Sequence, residues 1–80
     1  MKLRKRPLGD LNMVGYNIET LRKNKKIKQK DFITQMQLMG VDINPTSYSK
    51  LEGQVRIATD KEVYVAAKIL KVNIEELFKQ

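Results

Sequence analysis

The chain has 80 residues, 16 of them Lys or Arg and 9 Asp or Glu, for a formal net charge of +7, with 41% hydrophobic residues and neither Cys nor His. That length supports one small domain, not a catalytic core with a separate sensor domain. The missing Cys and His exclude disulfides, thiol chemistry, zinc–thiolate sites and the commonest acid/base group and metal ligand, so no cofactor or metal is expected.

Met1–Asn12 (MKLRKRPLGDLN) has no hydrophobic periodicity and contains Pro7 and Gly9, which predicts a flexible basic arm over 1–12 ahead of a domain over 13–80. Val14, Ile18 and Leu21 recur at i, i+4 and i+7, one stripe of a first helix ending near Asn24. Lys23–Lys28 (KNKKIK) is a basic turn. A second helix over about 29–38 turns Phe32, Ile33 and Met36 inward, with Gly40 as its left-handed stop. Asn44-Pro45 starts a third helix over about 44–53, with Ile43 and Tyr48 at the spacing of a hydrophobic staple. Thr59 and Glu62 form a capping box for a fourth helix, whose inward stripe is Val63, Ala66, Ala67 and Leu70. Asn73-Ile74-Glu75-Glu76 repeats that pattern, with Val72 and Leu77 as its staple. No strand alternation competes, so the fold class expected is all-α, a compact arrangement of five short helices.

The apolar run VYVAAKIL is short and contains Lys68, so nothing is expected to span a membrane. The basic start is followed by no apolar stretch of the signal-peptide kind, and a cytoplasmic protein is expected. Ten of the 16 basic residues lie in the first thirty positions, against only Asp10 and Glu19. Such a one-ended basic field suits an anionic partner, nucleic acid or a membrane surface, although a solvated lysine-rich surface would carry the same charge.

Two stretches carry recognisable chemistry. A helix N-terminus is electropositive and ordinarily attracts Asp or Glu. Here Lys28 and Lys30 flank the start of the second helix with only Asp31 opposing them. An external phosphate would complete that arrangement, held by free N–H groups, the Gln29 amide and the two lysines. The third helix is short and polar, and only Tyr48 and Leu51 anchor it. With those inward, Thr46, Ser47 and Lys50 share an exposed face, where short hydroxyls and one lysine suit base edges. Catalysis is not expected. Ser47 and Ser49 have no histidine to activate them, and Asp60, Glu62, Glu75 and Glu76 fit as helix caps.

Taken in order, Ile18…LRKNKK, Gln29-Lys30-Asp31-Phe32, Gly40-Val41, Tyr48-Ser49-Lys50-Leu51-Glu52, Arg56 and the closing KILKVNIEELF resemble the phage-repressor and Cro type of helix-turn-helix protein. The resemblance covers Met13 to Phe78. It implies a five-helix, lambda-repressor-like domain whose third helix lies in the DNA major groove. By position it implies a phosphate contact at Gln29, beside those expected of Lys28, Lys30 and Arg56, and base reading by Thr46, Ser47 and Lys50, with Asn44 adding a contact at the helix start. Arg22 and Glu52 match positions that form an internal ion pair. Leu77 and Phe78 are placed either at a dimer interface or in the core.

The chain departs from the family in four places. The turn before the third helix, or the second helix itself, is longer, Ile33 replaces a small residue, and Lys28 replaces a hydroxyl cap. Gly53 precedes the usual glycine position, moving the expected left-handed stop forward by one. Lys2, Arg4, Lys5 and Arg6 fit either an arm entering the minor groove or a tail adding non-specific attraction. The function expected is a sequence-specific DNA-binding transcriptional regulator, a repressor acting as a homodimer on a palindromic operator. The alternative is an antitoxin or accessory subunit whose main partner is another protein.

Overall fold

Apolar spacing and helix-stop geometry divide the described residues into four α-helices: α1 (Gly15–Asn24), α2 (Gln29–Leu38), α3 (Pro45–Glu52) and α4 (Asp60–Leu70). The computed structural model describes residues 11–79, and no strand occurs among them. Lys2, Arg4, Lys5 and Arg6 lie outside the described residues. The fifth expected helix is a single 3₁₀ turn, Ile74–Phe78. The Asn73 side chain makes no cap there; instead the Glu76 N–H donates to the Asn73 carbonyl at 2.9 Å, closing the tighter i→i+3 ring.

α4 is the most enclosed helix, burying Val63, Val65, Ala66, Ala67 and Leu70 and leaving Lys61, Tyr64 and Lys68 to solvent. Its N-terminus is a complete capping box: the Glu62 N–H donates to Thr59 Oγ1 at 3.1 Å, and the Thr59 N–H donates to Glu62 Oε1 at 2.9 Å. α2 packs on α4, while α1 packs on α3 and on the 3₁₀ turn. Fully buried Ile18, Phe32, Met36, Tyr48, Leu51 and Leu70 join these contacts into one core, each contributing about 1.5–3 kcal/mol through burial. Phe32 and Tyr48 meet across α2 and α3 with ring centroids 5.5 Å apart.

All four helices end in the same motif. The first residue past the cap has positive φ in α1–α3, Lys26 (60°), Gly40 (93°) and Gln54 (63°), and in α4 the cap itself does, Lys71 (58°). Two N–H groups then close back on the last turn, as in Ile27 N–H to Arg22 O and Lys26 N–H to Lys23 O, both at 3.0 Å. The stop of α3 is therefore not moved forward. Gly53 has an ordinary φ of −76°, and Gln54 takes the left-handed position. The Gln54 side chain offsets that strain by donating from Nε2 to Asn12 O at 3.0 Å.

The long turn between α2 and α3 is packed. Val41 and Ile43 are buried, Asp42 and Asn44 point out, and Gln37 Nε2 donates to Ile43 O at 2.8 Å. An extended segment with two core anchors thus absorbs the extra residues.

Candidate nucleic-acid interface

α3 begins with the cap its sequence specifies. Pro45 occupies the first turn, and Asn44 Oδ1 accepts the Ser47 N–H at 2.8 Å. Tyr48, Leu51 and Glu52 face inward. Because Glu52 joins the inward side, the solvent face is centred on Pro45, Thr46, Ser49 and Lys50, all exposed. Ser47, one of the expected base readers, is only half-exposed, and its carbonyl accepts from Arg56 Nε at 2.9 Å. Ser49 takes its place in the row. The sequence signal for this was the buried role of Glu52, which rotates the helix relative to a face built on Tyr48 and Leu51 alone.

Glu52 is 2% exposed, and both its oxygens are saturated. Oε2 accepts from Arg22 Nε at 2.7 Å and from the Tyr48 hydroxyl; Oε1 accepts from Gln29 Nε2 at 2.9 Å and from Arg22 Nη2 at 3.3 Å. Arg22 Nη1 also donates to Ile27 O at 2.8 Å, drawing the α1–α2 turn into the same cluster. Burial raises the Tyr48 pKa well above its ordinary value, and the Glu52 carboxylate adds to the rise, so the phenol is a permanent donor. Burial alone would lower the Arg22 pKa, but its bonds to Glu52 outweigh that and raise it. The pair ties α1 to α3, and losing one partner would leave a buried charge uncompensated, at about 3–5 kcal/mol.

Arg56 does not stand free for a phosphate. Besides Ser47 O, it donates to Ile57 O at 2.8 Å and, in a two-pronged bond, to Glu62 Oε1 at 2.8 Å and Oε2 at 2.7 Å. Four of the five guanidinium N–H directions are thereby committed within the protein. Its role is to link the first turn of α3 to the cap of α4. Burial pushes the Glu62 carboxyl up, yet the Arg56 bonds and the Thr59 N–H outweigh it and hold the pKa below its ordinary value.

Asn12, assigned by the sequence to the end of the arm, is buried at 8% exposure. Its Nδ2 donates to Leu51 O at 3.1 Å and Arg56 O at 2.8 Å, while Oδ1 accepts the Gly15 N–H at 2.8 Å. Gly15 itself lies directly on the last turn of α3, where a Cβ would sit 2.1 Å from Leu51 O and 2.8 Å from Glu52 O. Neither residue stands out in composition or periodicity. Gly15 at a helix start, where Ala would propagate a helix better, was the available clue.

Lys28 and Lys30 are exposed on either side of the first residue of α2. Lys28 takes the cap position with extended backbone and no side-chain cap bond. Gln29 is half-buried with Nε2 on Glu52, so its amide is oriented by α3. Between α2 and α3 runs an open groove of about 530 Å³ lined by Gln29, Lys30, Ile33, Thr34, Gln37 and Pro45.

At the opposite chain end, Leu77 is fully buried, so of the two candidate dimer contacts it belongs to the core. Phe78 is 42% exposed and lines a groove of about 390 Å³ with Leu11, Met13, Ala58 and Ile74. Asn17 Nδ2 fastens this terminus to α1, donating to Leu77 O at 2.8 Å and Lys79 O at 2.6 Å. None of the described helices is long and apolar enough to cross a membrane. In comparisons with known proteins, no family model, no curated protein and no solved structure matches the chain.

Proposed function

We propose that the protein is a sequence-specific DNA-binding transcriptional regulator of lambda-repressor-like architecture. It acts in the cytoplasm as a repressor, a homodimer on a palindromic operator with α3 in the major groove. The observation that carries this reading is the exposed row Thr46, Ser49 and Lys50 on a helix whose only carboxylate, Glu52, is turned inward and neutralised. Such a helix presents hydroxyls and a cation to base edges with no acid to repel phosphate. Lys28 and Lys30 supply backbone contacts from the neighbouring helix start, and Asn44 and Ser47 lie at the near end of α3. The apolar groove beside Phe78 supports self-association, which a two-fold operator requires.

Selection of bound sequences from random duplex DNA by the purified protein tests this. The expected product is an inverted repeat with half-site centres about one helical turn apart. Recovery of no preferred sequence at moderate salt would refute it. The same groove favours a second reading, an accessory or antitoxin subunit whose main partner is a protein. Co-purification of a stoichiometric neighbour that buries Phe78, with no DNA preference, would support that instead.

A further inference from the structure

α3 is two turns long, too short to hold its shape or place by its own hydrogen bonds. Tyr48, Leu51 and Glu52 fix its rotation about its axis, because each fills or satisfies an inward position. They do not by themselves fix how far the helix is pushed along that axis. Two side chains bear on this through its backbone: Arg56 Nε holds Ser47 O in the first turn at 2.9 Å, and at the carbonyl end Asn12 Nδ2 reaches Leu51 O at 3.1 Å and Arg56 O at 2.8 Å.

The chemistry of Asn12 separates two jobs. Its Oδ1 takes the Gly15 N–H, the ordinary service of a residue at a helix start, and Asp would do it equally well. The NH₂ half has no part in that. Both its protons go to carbonyls 39 and 44 residues away, one at the end of α3 and one in the loop behind it. An Asp would set a carboxylate oxygen against those two carbonyls. Gln54 Nε2 in turn holds the Asn12 carbonyl at 3.0 Å, and Gly15 provides a floor of bare backbone under Leu51 and Glu52.

We propose that Asn12 is a positioning residue for base reading, setting the axial register of α3 through its two amide protons. This inference rests on α3 being the reading helix. Reading base edges requires placement within about 0.5 Å, whereas phosphate attraction tolerates more slack. Loss of the clamp therefore erodes sequence discrimination and leaves general DNA affinity nearly intact.

The test is Asn12→Asp in the full chain, which keeps the α1 bond and replaces the two donors with a carboxylate oxygen. Affinities for the selected operator and for a scrambled duplex are measured at one salt concentration, so that the added charge cancels in their ratio. The ratio is expected to fall by about tenfold, the worth of one misread base pair. An unchanged ratio overturns the inference. Amide exchange over Tyr48–Gly53 is measured alongside without DNA, and is expected to quicken relative to α1. Wild-type protein that selects no sequence sinks the DNA reading, and the exchange result then decides the clamp alone, equal exchange in both proteins overturning it. If Asn12→Asp does not fold, Gln54→Ala loosens the same residue from its other side, and a ratio and exchange pattern equal to wild type overturn the proposal.

Discussion

A Cβ on Gly15 would lie 2.1 Å from the carbonyl oxygen of Leu51, so α1 and α3 meet with no side chain between them. Both partners are backbone and neither can rotate away. Gly15→Ala is expected to cost about 3 kcal/mol or more, at the upper end of overpacking effects, despite the higher helix propensity of Ala. Urea unfolding followed by circular dichroism measures it; a loss below about 1 kcal/mol would mean the helices can part freely.

Glu62 links α4's cap to Arg56, and its folded pKa lies below the ordinary 4.5. The unfolded chain therefore binds the proton more readily. Stability from this group is complete above about pH 4.5 and is lost as pH falls through the folded pKa. Glu62→Gln is expected to flatten the dependence of stability on pH in that acid range. Equal slopes for the two proteins, from unfolding curves between pH 5 and 3, would contradict the assignment.

Lys71 ends α4 in the left-handed region at φ 58°. Lys71→Gly is expected to stabilise by about 0.5–1 kcal/mol, the relief of Cβ strain exceeding the added freedom of the unfolded chain. Gln54→Gly relieves the same strain but forfeits the bond to Asn12 O, so no gain is expected there. Thermal unfolding of the two variants side by side distinguishes these outcomes.

On DNA, Lys50→Ala is expected to cost about 1–3 kcal/mol on the preferred site and to relax choice at one base position. Lys28→Ala is expected to weaken binding to all sequences alike and to reduce the salt slope by about one charge. A Lys28→Ala slope equal to wild type would remove Lys28 from the phosphate contacts.

The helices were legible because their signals are local. Pro45 after Asn44, the Thr59–Glu62 box and the stripe from Val63 to Leu70 each act within a few residues. Misread features depend on partners in other elements. Ser47 and Arg56 looked available because caps and periodicity do not register contacts between elements, yet Arg56 lies across Ser47 O and Glu62 in the fold. Leu77 was ambiguous for the same reason, since burial against other elements is not written in its neighbours. The last helix shrank to a 3₁₀ turn because the expected Asn73 side-chain cap does not form and the Glu76 N–H closes on the Asn73 carbonyl instead.

The clasping of α3 from behind has a consequence for how such a protein changes over generations. Asn12, Arg22, Gln29 and Arg56 hold the helix by its carbonyls and its buried carboxylate, none of which belongs to the outward row. Replacing Thr46, Ser49 or Lys50 should then leave stability within about 0.5 kcal/mol, as for other surface positions. New preferences at that face can arise one residue at a time, without repair of the scaffold beneath. A helix with little strength of its own leaves its outer surface free to vary.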